Sequence, residues 1–259
     1  MASTAGARQI GVVTSGLFPI DPRIRPLAGA HNLRDLGGLR TDSGDIVRTG
    51  RIFRSDYPLF VDADVEGTRE LGLRTVVDLR RANEVSVECV DWPALGVACE
   101  RWPLSAGRES SWRARYPAYL EHRPETVVGA VRAVMRPEAH AVLFHCAAGK
   151  DRTGVVAALL LSLLGVADDD IVDDYVLSAA SVEPVITRLN GIDLYATMLA
   201  DSSVRDQEPK AEYLHGLLEW LGGHGGAEAW LVERGTPAVE VDGFRAAMLM
   251  TGGGGESLD

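Results

Sequence analysis

A chain of 259 residues, 46% hydrophobic and 24% charged, is long enough to bury a sizeable core. Its formal net charge of −11 argues against a nucleic-acid partner, which relies on a basic face, but not against a small anionic group held by a local positive potential. No run of eighteen apolar residues occurs, so no transmembrane helix is expected, and three cysteines (Cys89, Cys99, Cys146) do not make a disulfide framework.

Residues 1–26, ending in Pro19, Pro22 and Pro26, read as a leader packed loosely on the body. Met1 to Gly16 has one arginine and no compact apolar stretch, unlike a secretory signal, so a cytoplasmic location is the default. Gly37 to Ser55 alternates polar and apolar residues around Asp42-Ser43-Gly44-Asp45, a hairpin signal. Asp62 is placed to cap a helix to Leu71, ended by Gly72 before a strand from Arg74 to Leu79. A second strand is expected over Val97–Trp102, with Asp91-Trp92-Pro93 before it as a turn. Helices are expected over Trp112–His122 and Pro124–Met135, and a buried strand over Ala141–Phe144. Thr153 to Leu164 is an apolar helix closed by Gly165. Further helices follow over Asp168–Ala180, Pro184–Leu199, Pro209–Leu221, Ala227–Glu233 and Val241–Met250, before a flexible tail at 252–259. The pattern predicts an α/β fold: a small, mostly parallel sheet flanked by helices, with a helical C-terminal part, as one domain over 27–251. Ligands of such sheets bind at the carboxyl ends of the strands.

The densest chemistry lies in His145-Cys146-Ala147-Ala148-Gly149-Lys150-Asp151-Arg152-Thr153-Gly154. A cysteine and an arginine with five residues between them, set between a strand and a helix start, form a cradle for one phosphate group. Inward-pointing amides, a helix N-terminus and a nearby arginine all favour the reactive thiolate. Cys146 is therefore the candidate nucleophile, and Arg152 the planar fork that grips phosphate oxygens. Ala147, Ala148, Gly149 and Lys150 supply the loop's substrate contacts, and Thr153 can donate its hydroxyl to sulfur as the intermediate breaks down. His145 orients the loop backbone. The reaction this implies is phosphate monoester hydrolysis through a phosphocysteine, with no metal or other cofactor. The plain alternative is a chance C-x5-R with a merely buried cysteine; Gly149, Gly154 and the strand–loop–helix setting weigh against it.

This loop resembles that of the atypical bacterial tyrosine phosphatases with the signature H-C-x-x-G-K-D-R-T, a group that includes mycobacterial tyrosine/lipid phosphatases. Asn32-Leu33-Arg34-Asp35-Leu36-Gly37-Gly38 resembles the family's N-x-R-D-x-G-G segment. Thr75-Val76-Val77-Asp78-Leu79-Arg80, with Glu84 soon after, resembles its V-x-D-L-R strand end, and Arg51-Ile52-Phe53-Arg54-Ser55 its R-S step. The resemblance runs from about Leu27 to Leu249 and implies a cysteine-phosphatase fold. It also implies activity on phosphotyrosine, sometimes phosphoserine or phosphothreonine, and on phosphoinositides. Lys150 resembles the loop lysine of phosphoinositide phosphatases. Exported relatives lack an obvious signal, and in mycobacterial relatives paired helices cover the site as a lid, here about 184–221. One departure stands out: Asp174-Tyr175-Val176-Leu177-Ser178 is followed by Ala179 where the family tends to carry Asn.

Hydrolysis also gains from a carboxylic acid that protonates the leaving oxygen. Asp151 is the first candidate, its other possible role being an ion-pair partner of Lys150 or Arg34. Asp91 is the alternative to it, although Asp91-Trp92-Pro93 reads as a turn, and Asp78 and Asp35 are third choices, read as structural hydrogen-bonding groups near the pocket. Arg34 and Arg80 are candidate supplementary anion contacts. Met198, Leu199, Tyr213, Leu214, Leu217 and Leu218 suit either a lid or ordinary core packing, and Trp112, Arg113, Arg115, Tyr116 and Tyr119 either an aryl phosphate grip or a surface helix. The expected partner is a phosphorylated substrate: a phosphotyrosine protein, a phosphoinositide or a small phosphate ester. Two other classes stay open, a phosphate-binding pseudoenzyme and another anion chemistry such as sulfur transfer.

Overall fold

The structure, a computed structural model, describes residues 21–109 and 111–252; the expected tail beyond 252 and most of the expected leader lie outside the described residues. Short strands alternate with helices in the first half: β1 (Arg34–Asp35), β2 (Ile46–Val47), β3 (Ile52–Ser55), α1 (Phe60–Ala63), α2 (Val65–Glu70), β4 (Thr75–Asp78), α3 (Ala82–Val85) and β5 (Ala98–Arg101). Then α4 (Trp112–His122) and α5 (Pro124–Met135) lead to β6 (Val142–His145) and α6 (Asp151–Leu163). The rest is helical but for its last strand: α7 (Asp168–Val176), α8 (Val182–Asn190), α9 (Asp193–Leu199), α10 (Ala211–Gly222), α11 (Gly226–Glu233), α12 (Ala238–Met248) and β7 (Leu249–Met250).

The main sheet runs β1-β3-β6-β4-β5, with β1 antiparallel to β3 and the other pairings parallel. The middle strands are apolar at successive positions because both faces are covered. Ile52, Val77, Val142 and Phe144 enter the cluster built on α5 and α6, while Phe53, Val76 and Leu143 face Leu33, Phe60, Val61 and Trp92. Helix α6 is buried over nearly its whole length, which explains its unbroken apolar sequence. It closes in a Schellman pattern, with Val166 N–H donating to the Leu161 carbonyl and Gly165 in the left-handed region at φ 77°.

Several boundaries depart from expectation. The first helix breaks in two, and its working cap is Asp64, which accepts from the Gly67 amide at 2.9 Å, rather than Asp62. The expected Pro184–Leu199 helix is interrupted at Gly191-Ile192, where α8 ends. The last helix stops at Met248 because Leu249 and Met250 pair antiparallel with Val47 and Ile46, on the arm of the expected hairpin. The leader's last residues are tied down rather than loose: Arg23 is buried and pairs with Asp174 at 2.9 Å. Among the described residues no helix is long and apolar enough to cross a membrane.

Candidate active site

The loop between β6 and α6 lies at the carboxyl end of the middle strand, and its carbonyls are turned outward. The Cys146 carbonyl accepts from His145 Nδ1 at 3.2 Å; that of Ala147 accepts from the Tyr57 amide at 3.2 Å and Arg188 Nη2 at 2.9 Å. The carbonyls of Ala148 and Gly149 accept from Asn32 Nδ2 at 3.2 and 3.1 Å, and Gly149 also from Arg54 Nη2 at 2.9 Å. In a trans peptide the C=O and the following N–H point in opposite directions. The amides of Ala147 to Lys150 are therefore directed to the bowl side, as an anion nest continuous with the N-terminus of α6. The Gly149 amide already donates to Cys146 Sγ at 3.2 Å. Gly149 has φ 67°, and a Cβ there would collide with the Ser55–Asp56 backbone, so only glycine lets the loop lie this close to β3.

The struts behind the loop are themselves fixed. Arg34 donates to Asn32 Oδ1, which forces the Asn32 amide nitrogen towards the loop. Arg34 is in turn held by Asp174, at 3.0 Å from Nε to Oδ1 and 2.7 Å from Nη2 to the carbonyl, and by Ser178 Oγ. Arg54 reaches Asp174 Oδ2 at 2.6 Å. Burial pushes the Asp174 carboxyl up, but Arg34, Arg54 and Arg23 outweigh it and hold the group well below the carboxylate range. Burial and Arg34 lower Arg54 to about 10, against the pull of Asp174.

Arg152 lines the bowl with its terminal nitrogens on Glu84, both at 2.7 Å, and its Nε has no hydrogen-bond partner among the described residues, which leaves that edge for a ligand. Burial raises Glu84, yet Arg152 and Arg81 bring it down to about 2. Asp151 Oδ1 accepts from Tyr116 Oη at 2.6 Å, and Lys150 Nζ stands 3.6 Å from the same oxygen. Lys150 donates to the Gln207 carbonyl and lies 4.8 Å from the Trp112 ring centre, beside the bowl rather than in it. Thr153 is fully buried, and its Oγ1 has no hydrogen-bond partner among the described residues.

A cavity of about 300 Å³ opens over the loop. Cys146, Ala147, Ala148, Asp151 and Arg152 form its floor; Trp112, Tyr119 and Tyr195 are among its aromatic walls. Four expected contacts are not there, and each has a structural reason. Arg34 spends its guanidinium on Asp174 and Asn32. Asp35 accepts from the Gly37 and Gly50 amides and from Arg25, stitching the β1 turn. Asp78 and Arg80 form a buried pair at 2.8 Å, with Arg80 also on the Glu88 carbonyl and against Tyr57. Asp91 caps a turn at the Ala94 amide, and Cys89 and Cys99 line a separate cavity. The lid residues split: Met198 and Leu199 reach the cavity, while Tyr213, Leu214, Leu217 and Leu218 of α10 are core. Trp112, Arg115 and Tyr119 of α4 face the cavity, not open solvent as in a surface helix. The roles of Glu84, Asn32, Arg54, Asp174 and Tyr116 were not legible beforehand. Each lies in a segment that the sequence singles out, but no local signal says what its side chain pairs with.

Residues 25–250 match the sequence profile of the tyrosine phosphatase family. The chain belongs to that family. It is 34% identical to a Cupriavidus necator protein named as a tyrosine-protein phosphatase, over 87% of this chain and 90% of the relative. It is 32% identical to the triple specificity protein phosphatase PtpB of Mycobacterium tuberculosis, over 64% of this chain and 73% of PtpB. A tyrosine-protein phosphatase of Nostoc commune matches at 32% identity, over 50% of this chain and 48% of the relative. This phosphatase is thus a cysteine-dependent enzyme of the protein-tyrosine-phosphatase type, for which the family implies a phosphocysteine intermediate.

Proposed function

We propose that Cys146, Arg152 and Asp151 carry the hydrolysis of aryl phosphate esters, phosphotyrosine above all. The observation that supports this most directly is the outward anchoring of the loop carbonyls from Cys146 to Gly149, which leaves a ring of amides facing the sulfur. The thiolate of Cys146 attacks phosphorus in line while the nest and the Nε edge of Arg152 take up the equatorial oxygens. Asp151 protonates the leaving oxygen, since it lines the cavity beside the loop. Water then cleaves the phosphocysteine, with the unpartnered Thr153 hydroxyl donating to the departing sulfur. Ala147, Ala148, Gly149 and Lys150 contact the phosphoryl group through the backbone; Lys150's ammonium serves Gln207 and Trp112 instead.

The aromatic walls, Trp112, Tyr119 and Tyr195, favour a planar leaving group over an alkyl one. The mycobacterial relative is named for triple specificity, so the test spans several ester classes. Phosphate release is measured, with EDTA present, from phosphotyrosine, phosphoserine and phosphothreonine peptides, a phosphoinositide and sugar phosphates. Fastest turnover of phosphotyrosine is expected, with Cys146→Ser inactive yet still binding phosphate. Full activity of Cys146→Ser would sink the covalent mechanism, and preference for a sugar phosphate would replace the substrate assignment.

A further inference from the structure

Two buried tyrosines end on the carboxylate that the reading above makes the proton donor. Tyr175 Oη and Tyr116 Oη lie 2.5 Å apart, and Tyr116 Oη lies 2.6 Å from Asp151 Oδ1. Both tyrosines are essentially without solvent contact. Their rings are locked. Tyr116 meets Tyr175 edge-on at 5.8 Å and stacks on Tyr213 at 6.1 Å. Tyr175 lies over Gly154 in the first turn of α6, where a Cβ would stand 3.1 Å from its ring.

Direction follows from counting protons. Each phenol has one, and Tyr175 Oη has no hydrogen-bond partner but Tyr116 among the described residues. Run from Asp151 outward, the chain would strand Tyr175's proton without an acceptor; run inward, Tyr175 to Tyr116 to Asp151, every proton is used. Burial raises both phenols well above their ordinary range, so they remain donors. Lys150 Nζ faces the same Oδ1, at 3.6 Å.

We propose that Tyr116, backed by Tyr175, is a positioning residue for Asp151, occupying Oδ1 as a permanent acceptor so that the transferable proton sits on Oδ2, facing the leaving group. This rests on the reading of Asp151 as general acid. A chain of this kind fixes both the rotamer of the carboxyl and the oxygen that carries the proton, without touching substrate.

Three variants, Tyr116→Phe, Asp151→Asn and the double, are assayed on phenyl phosphate, whose leaving group needs a proton, and on 2,4-dinitrophenyl phosphate, whose leaving group does not. Tyr116→Phe should lose about ten- to a hundredfold in kcat on phenyl phosphate and no more than about threefold on the dinitrophenyl ester, with KM little moved. In the Asp151→Asn background the tyrosine change should cost nothing further, because its effect passes through Asp151. Tyr175→Phe, which keeps the ring packing, should give a smaller loss with the same selectivity, and replaces Tyr116→Phe if that variant fails to fold. Equal loss on both esters, or loss that multiplies with that of Asp151→Asn, would make the tyrosines merely structural and overturn the inference. If Asp151→Asn itself slows both esters alike, the general-acid reading fails first and the inference goes with it.

Discussion

Arg152 lays both terminal nitrogens of its guanidinium on the two carboxylate oxygens of Glu84, each at 2.7 Å. The pair aims the arginine's remaining edge and restricts its rotation before any substrate arrives. Glu84→Gln keeps the volume but sets an amide N–H against a guanidinium. Its kcat/KM on an aryl phosphate should fall about 10- to 100-fold, with inorganic phosphate binding more weakly as well. Glu84 stands at about 2 against an ordinary 4.5, so its stabilising effect is full above pH 4.5 and is lost progressively as pH falls from 4.5 to about 2, while in the folded protein the pair with Arg152 stays charged until about 2. Inactivation near pH 4 would therefore have another source.

Asn32 acts at the opposite side of the loop. Removing its amide in Asn32→Ala leaves the Ala148 carbonyl without its side-chain donor and Gly149 held by Arg54 alone. Two hydrogen bonds at about 1 kcal/mol each correspond to roughly tenfold or more in oxyanion affinity, once the amides are free to turn out of the bowl. Vanadate inhibition measures this directly. Unchanged inhibition would mean that Arg54 and Arg188 suffice to shape the loop.

Asp174 is the common partner of Arg23, Arg34 and Arg54, with contacts of 2.9, 3.0 and 2.6 Å. In Asp174→Asn the buried Arg34 and Arg54 lose their counter-charge at once, and Arg23 keeps only Asp21, at 2.8 Å. The expected cost is about 3–5 kcal/mol, seen as a fall in Tm of roughly 10 °C. A fall of only a degree or two in a thermal scan would show that the cations are neutralised elsewhere.

His145 gives the pH dependence of folding a definite sign. Burial brings its imidazole down to about 4 from 6.5, so the folded protein holds it neutral while the unfolded chain protonates it. Folding stability from this group is complete above pH 6.5 and is lost as pH falls from 6.5 to 4, with a slope of up to about 1.4 kcal/mol per pH unit. Urea unfolding at several pH values should show that slope, and His145→Asn should flatten it. A slope that survives in the variant would belong to another titrating group.

The loop was legible because its chemistry is local. A cysteine, two glycines and an arginine at fixed spacing, between apolar stretches, need only a strand and a helix start to become a nest. Helices α4 and α5 were readable to the residue for the same reason: Ser111 caps one and Pro124 opens the other. Arg34, Asp35, Asp78 and Arg80 misled because a charged residue in a motif says nothing about where its charge is spent. Asp35, Asp78 and Arg80 spend their charge on strand ends and turns around the sheet, and Arg34 is turned from the bowl by Asp174, 140 residues away.

What the sequence by itself determined is the α/β order of elements, the nucleophile-and-arginine loop and the family to which the chain belongs. Only the tertiary structure decided how that loop is held open and which side chains serve it. The Asn32, Arg54 and Arg188 donors, the Glu84 partner and the Tyr175–Tyr116–Asp151 chain join segments far apart in sequence. Spacing along a chain cannot encode such pairings. They arise when packing removes water from several polar groups together, and each must then find its hydrogen-bond partner among whatever the fold has brought alongside.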